Sequence, residues 1–363
     1  MNVKTKVLHI GCAYYPYLGG STQRLAALMN ACSKSENYEF YLITKTESNN
    51  CLEDDKYFKK IYRNIDTDKI GFNRSLFNII KEVAPDIVVL HNSRILLSWK
   101  VFYGTFFKDI RVVNEIHSFR DDTKTKRFLN KFLYKNVDMN VVLSESAKSY
   151  LLSEYDCDKS EVIFNGVRTV NQTKNQFKKY DSHSVSYSYI GTFHKWQGVI
   201  LLADAIKNLD DDFFKSHTIN IVGDGPCFDE FTRLVEGKPI NIYGWMPKNM
   251  ADEVLLSSDY ILAPRLSTTG TETVVPLKVF ESIEMNRPII CTPVGGLKEV
   301  FMPKKESAIF TRDISAESLA DVLKNPLTND EYRAMAESLE ELKKSVPTWE
   351  KSASRYLEVF DRI

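Results

Sequence analysis

The chain has little of what would mark a metal ribbon or a disulfide scaffold. Its six cysteines (Cys12, Cys32, Cys51, Cys157, Cys227 and Cys291) are scattered, with no CxxC pair and no histidine at metal-ligand spacing. That argues against a structural zinc site or a disulfide framework and fits a reducing compartment. Long apolar runs are missing too: none approaches the roughly 20 residues of a membrane span. The opening "MNVKTKVLHIG" turns directly into a short apolar strand rather than a signal peptide. No net charge remains, because 48 Lys+Arg face 48 Asp+Glu. A polybasic nucleic-acid binder is thereby excluded, although residues 1–170 hold 25 basic against 20 acidic residues and the remainder 23 against 28. No Walker loop and no Ser/His/Asp order is present. The Asp-x-Asp pattern "DCD" (156–158) sits on a charged turn before "SEVIFNGV", so it reads as surface rather than as a metal site.

What is present is alternation. At 363 residues, 43% hydrophobic and 26% charged, the chain is globular and long enough for two cores. "KVLHIG" (6–11), "FYLIT" (40–44), "DIVVL" (86–90), "IRVVNEI" (110–116) and "MNVVLS" (139–144) read as buried strands. Segments of helical period lie between most of them. A polar, turn-rich stretch follows residue 168, and then the alternation restarts. Its strands are "VSYSYIG" (185–191), "TINIVG" (218–223), "INIYG" (240–244), "YILAP" (260–264) and "RPIICT" (287–292). Strands alternating with helices on both sides of a linker imply two doubly wound α/β domains. The expected division is 1–168, a linker at 169–184, and 185–347. The terminal amphipathic helix 348–363 is left open to pack back onto the first domain.

In such sheets ligands sit at the carboxyl ends of strands, where loops enter helix N-termini. Glycines mark several of these loops: "YPYLGGST" after the first strand, with Ser21 placed to cap the next helix, and "YIGTFHKWQG" and "IVGDGP" in the second half. Each is an ordinary turn signal alone; their recurrence in both halves is the stronger signal.

In order along the chain come "FNGV" (164–167), "YIGTFHKWQGVILLADAI", "VGDGP", "SSDYILAP" and "PLKVFESIEMNRPIICTPVGGLKEV". Together with the "GG" loop, "PDIVVLH" and "VVLSE" of the first half, this ordered set resembles the retaining glycosyltransferases of family four (glycosyl transferases group one). The resemblance covers essentially the whole chain. It implies the GT-B fold: two facing Rossmann-like domains, the first for the acceptor and the second for a nucleotide-sugar donor bound in the interdomain cleft.

The resemblance also assigns roles. Glu281 matches the glutamate that accepts from the ribose hydroxyls, and a carboxylate can accept from both hydroxyls of a diol. Pro276 suits the first helical turn, placing Lys278 and Glu281 on one face. Lys278 and the amides of Gly270, Thr271, Thr273 and Val274 would hold the pyrophosphate. Glu272, on the loop, matches a second family glutamate that meets the transferred sugar. Eight residues separate it from Glu281 where the family has seven, so either a longer loop delivers it or that carboxylate is absent. Gly191, Thr192 and Lys195 form the loop where the family often has an arginine and a lysine, with Lys195 as the replacement cation beside Trp196 and Gln197. Asn286 stands where glycine is common, and asparagine also tolerates that helix-end geometry.

In the first half, His117 matches a histidine near the reacting sugar, the alternative being a satisfied histidine at a strand end. Gly19, Gly20 and Ser21 form the acceptor-side loop. His91 has no nameable partner, and Arg24 reads as structural. The expected activity is transfer of a sugar from UDP or GDP to a hydroxyl of a glycan or lipid-linked acceptor, with no metal and no other cofactor. Two alternatives stay open: a degenerate transferase that binds nucleotide or a partner without turnover, and a nucleotide-sugar epimerase on the same fold. The expected location is cytoplasmic, with a peripheral contact left open. "KTKRFLNKFLYKN" (124–136) is expected to pack its apolar stripe inward while its basic side can face an anionic membrane.

Overall fold

The structure, a computed structural model, describes residues 3–15, 19–44, 56–63, 69–91, 103, 106–168 and 180–363. It divides into two units, Met1–Gly166 with Pro347–Ile363, and Val167–Val346. Each is a parallel sheet with helical crossovers. Among the described residues no helix is long and apolar enough to cross a membrane.

In the first unit the strands are β1 Thr5–Ile10, β2 Tyr38–Ile43, β3 Lys60–Tyr62, β4 Ile87–Leu90, β5 Arg111–Ile116, β6 Met139–Val142 and β7 Ser160–Val162. Their spatial order is β3-β2-β1-β4-β5-β6-β7. β1 is central: Val7 pairs with Phe40 on one side and Ile87 on the other, so the chain reverses direction across the sheet between β1 and β4. Strands covered on both faces must be apolar along their length, and Ile87, Val88, Val89 and Leu90 are all buried. The helix Trp349–Arg362 belongs to this unit. Its N-cap Thr348 accepts from the Lys351 amide, and it buries Tyr356 and Phe360, the latter against the Tyr38 ring. Gly166 makes room for it, because a Cβ there would lie 2.4 Å from the Trp349 nitrogen.

The second unit contains β8 Ser186–Ile190, β9 Thr218–Val222, β10 Asn241–Gly244, β11 Tyr260–Ala263, β12 Ile289–Cys291 and β13 Ala308–Phe310. The order β10-β9-β8-β11-β12-β13 puts its reversal between β8 and β11. One core face holds Tyr187, Tyr189, Phe193, Leu202, Ile219 and Phe231; the other holds Ile261, Val279, Phe280, Ile283, Leu297 and Leu339. Both chain reversals create the crevice that α/β sheets use for ligands.

Three strands lie outside the expected set: β3, β7 and β13. Each has three residues at a sheet edge, too short for a periodic signal. "RPIICT" contributes only Ile289–Cys291, because the Arg287 amide still donates to Ser282 O at the end of the preceding helix. The division between units also falls earlier than residue 168. Arg168 is anchored in the second unit, its Nε 2.6 Å from Glu284 Oε1 and its amide 3.1 Å from Oε2. The far end of the expected linker is likewise structured: Tyr180 stacks on Tyr332 at 3.8 Å between ring centroids. Residues 169–179 lie outside the described residues.

Candidate functional site

In the second unit the candidate site is built at the carboxyl ends of β8 and β11. β8 runs into Gly191, whose amide donates to Val222 O, and then into Thr192 and the buried Phe193. Lys278 approaches from the helix Leu277–Met285. Its Nζ lies 4.2 Å over the Tyr189 ring and 3.2 Å from where a Cβ on Gly191 would stand. The residue is only 7% exposed, and its ammonium has no hydrogen-bond partner among the described residues. Burial, reinforced by the Arg265 charge and opposed by Glu281, pulls its amine from 10.5 to about 7. A long polar side chain is not normally buried without a partner. This one is an amine held next to a glycine with no hydrogen-bonding partner among the described residues.

Arg265, directly after β11, is a second buried cation and one that sequence reasoning missed. Its Nη1 donates to Val274 O at 2.9 Å, while Nε has no partner among the described residues. Burial lowers it to about 10, which leaves it charged at neutral pH. The signal available was the position itself, the first side chain after "YILAP". Gln197 also buries an Oε1 with no partner among the described residues, whereas Lys195 is exposed and Trp196 stacks on His194 at 4.1 Å.

Glu281 does not pair with Lys278. Its Oε1 accepts from Lys248 Nζ at 2.8 Å, and Lys248 reaches Asp252 as well, at 2.7 Å. The segment expected as a loop is a short helix, Thr269–Thr273, closed by a reciprocal capping box between Thr268 and Thr271. The cap explains the correction: the Thr271 amide donates to Thr268 Oγ1 and the Glu272 amide to Thr268 O, so both are already used. Thr273 Oγ1 donates back to Thr269 O at 2.7 Å. Gly270 lies inside that helix, and Val274 presents its carbonyl to Arg265. Glu272 accepts from Ser267 Oγ at 2.7 Å and from the Gly295 amide at 2.6 Å. A Cβ on Gly295 would sit 2.7 Å from that carboxylate, so glycine is what lets the loop approach it. Asn286 ends the following helix at φ 52°, in the left-handed region anticipated for it.

In the first unit the site is a stack of histidines at the carboxyl ends of neighbouring strands. His9 (in β1), His91 (after β4) and His117 (after β5) form a hydrogen-bonded chain. His9 Nδ1 is 2.9 Å from His91 Nε2, and His91 Nδ1 is 2.8 Å from His117 Nε2. The partners that the sequence could not name for His91 are therefore two more histidines. Burial is the main reason all three are depressed, His9 to about 4, so the rings are neutral at pH 7. Beneath them Glu115 is buried. It accepts from Arg24 Nε at 2.9 Å and from the Tyr356 hydroxyl at 2.6 Å. Burial pushes this carboxyl up, but Arg24 and the histidines outweigh it and hold it well below the usual carboxylate range. Arg24 also donates to Asn165, in keeping with its structural reading.

The acceptor-side loop differs in one detail. Gly19, not Ser21, is the N-cap of the helix Gly20–Cys32, with no side-chain cap. Ser21 falls inside the first turn, and the Thr22 hydroxyl ties that turn back to Ala13 O at 3.1 Å. Residues 16–18 of the loop lie outside the described residues. The helix Lys124–Lys135 packs inward only at its last turn, through Leu133 and Tyr134. Phe128 and Phe132 are exposed, contrary to the expected packing, while Tyr134 meets the Tyr155 ring at 5.1 Å between centroids. Glu154 and Asp156 pair with Arg127, Lys131 and Lys135.

Comparison with known proteins supplies the family. Residues 18–170 match the family described as Glycosyltransferase Family 4, and residues 185–329 match Glycosyl transferases group 1. An uncharacterized glycosyltransferase of Methanocaldococcus jannaschii is 21% identical over 402 residues, covering 99% of both chains. Among solved structures, sucrose-phosphate synthase of Thermosynechococcus elongatus superposes with a TM-score of 0.77 at 15% identity, covering 99% of each chain. Anabaena HepE in complex with UDP and glucose gives 0.76 at 13% identity, covering 99% of this chain and 100% of its own. The chain belongs to the family-four glycosyltransferases of group one and has their GT-B fold.

Proposed function

We propose that the protein transfers a sugar, with retention, from a UDP- or GDP-sugar to a hydroxyl of a glycan or lipid-linked acceptor. The observation that carries this reading is Lys278: a buried, unpartnered amine beside Gly191 at the end of β8. A diphosphate is the ligand that such an amine lacks. Its arrival restores the ammonium's charge and gives it a partner, and Arg265 adds a second fixed cation. Glu281 accepts from the ribose hydroxyls while Lys248 steadies its carboxylate. Gly191, Thr192 and Lys195 border the same phosphates. The relative HepE was solved with UDP and glucose, which supports a nucleotide sugar as donor. The leaving diphosphate gathers negative charge as the glycosidic bond breaks, and cations already in place need no reorganisation at that moment. No step in this reading uses a bound metal. His117, neutral and at a strand end, acts in transfer rather than in nucleotide binding.

A specific observation favours a second reading, nucleotide binding without turnover. The Glu272 carboxylate is already satisfied by Ser267 and Gly295. Incubation of purified protein with UDP- and GDP-sugars separates the two. Sugar transfer, or slow donor hydrolysis without acceptor, supports the enzyme, and nucleotide binding with neither supports the second reading.

A further inference from the structure

The histidine chain contains more than the transfer reaction asks of it. Cys12, just after β1, joins His91 and His117 in a group whose ligand atoms all lie within 4.8 Å of one another. The three residues are far apart in sequence, which is why spacing alone gave no metal signal. Cys12 is buried, and among the described residues its thiol makes only a long contact to Ser21 O, at 3.9 Å. His91 Nδ1 and His117 Nε2 face each other across 2.8 Å. Two imidazole nitrogens at that distance share one proton or, if they open slightly, one cation. Tetrahedral zinc needs N···N near roughly 3.4 Å and S···N near roughly 3.6 Å. Opening one contact by about half an ångström and closing the thiol toward the rings reaches both values.

The surroundings are those of a metal site. His91 has its other nitrogen against His9 at 2.9 Å, an outer partner that fixes which nitrogen faces the ion. Glu115 places one oxygen 4.0 Å from His91 Nδ1 and the other 3.9 Å from His117 Nε2. It is immobilised there by Arg24 and Tyr356, so its charge lies beside the ligands without having to join them. His117 is the more open ligand, with its side chain 20% exposed, and gives the route in.

We propose that Cys12, His91 and His117 form a binding site for a borderline-soft divalent ion of the zinc type, with Glu115 as the neighbouring charge. One sulfur and two imidazoles select zinc, cobalt or copper over magnesium, calcium and manganese, which want oxygen. On binding, the Cys12 thiol gives its proton to solvent. The proton shared by the two facing nitrogens is redistributed to outer ring nitrogens, so one proton leaves per ion. The site does not rest on the transferase reading. If His117 acts in transfer as well, the captured ion inhibits it.

The test uses the full chain, stripped with a chelator and titrated with cobalt(II) at neutral pH under reducing conditions. One cobalt per chain is expected, with a thiolate-to-cobalt charge-transfer band and tetrahedral visible bands that zinc abolishes. Cys12→Ser should remove the charge-transfer band, His91→Gln should weaken binding at least tenfold, and Cys227→Ser, in the second unit, should change neither. Absence of the band in the parent chain, its survival in Cys12→Ser, or unaltered affinity in His91→Gln would overturn the site. Should Cys12→Ser not fold, His91→Gln and Cys227→Ser read on the same band decide the matter.

Discussion

Replacing Lys278 by methionine should make the protein more stable and less able to bind its donor. The amine moves from 10.5 to about 7 on folding. Below pH 7 the ammonium is charged in both states, and its burial opposes folding in full. Between pH 7 and 10.5 the unfolded chain keeps the proton and the folded one does not, so stability rises with pH. Above 10.5 the opposition is gone. At pH 7 it amounts to on the order of 4 kcal/mol. Against this, the contact with the Tyr189 ring contributes about 0.5–2 kcal/mol. Methionine has a similar volume and no charge to desolvate, so Lys278→Met should gain about 2–3 kcal/mol at pH 7. Denaturant midpoints of parent and variant measured from pH 6.5 to pH 10 should converge as pH rises. UDP or GDP affinity should meanwhile fall roughly tenfold or more, the loss expected for one charge-assisted bond. A variant less stable than the parent at neutral pH, or a gap that does not close with pH, would refute the account of an unpartnered buried amine.

Glu281→Gln should weaken nucleotide binding roughly ten- to a hundredfold with little change in melting temperature, since Lys248 keeps Asp252 at 2.7 Å. Glu272→Gln should cost about 1–2 kcal/mol in a denaturant titration, because a charged acceptor of the Gly295 amide is lost. If the same variant transfers sugar as well as the parent, Glu272 has only that structural role. His117→Ala should lower turnover while leaving UDP or GDP affinity unchanged; an unaltered turnover number removes it from the chemistry. Sedimentation with anionic vesicles should depend on exposed Phe128 and Phe132 together with Lys124 and Lys126, and should fall steeply with added salt. Salt-independent binding would exclude the electrostatic mode.

Much of this architecture was legible because buried parallel strands leave a plain record. "DIVVL", "MNVVLS" and "YILAP" are apolar along their length and sit between helical periods, which fixes fold class with little ambiguity. Asn286 shows the same at one residue, where the type of side chain announced the helix end. The site was legible only through the motifs that carry the family resemblance. His117, Lys278 and Glu281 were found because those motifs match the family's residue by residue. Their partners were not, since pairing is a property of the sheet order. Glu115 meets Arg24 from 91 residues away and Tyr356 from 241, and no local pattern encodes such distances. Glu281 was assigned to the same helical face as Lys278, yet Lys248 from another helix holds it. The short helix Thr269–Thr273 was hidden by its composition. Threonine and glycine favour loops, and the helix exists because Thr268 and Thr271 cap each other.

The central claim is that the second unit is a nucleoside-diphosphate donor site centred on Lys278. Its most direct test is titration of the parent chain and Lys278→Met with UDP, GDP and ADP, followed by calorimetry and thermal melting. UDP or GDP should bind the parent and raise its melting temperature above the effect of ADP, and that increment should be largely lost in the variant. Indifference of the parent to all three nucleotides, or an undiminished increment without Lys278, would contradict it.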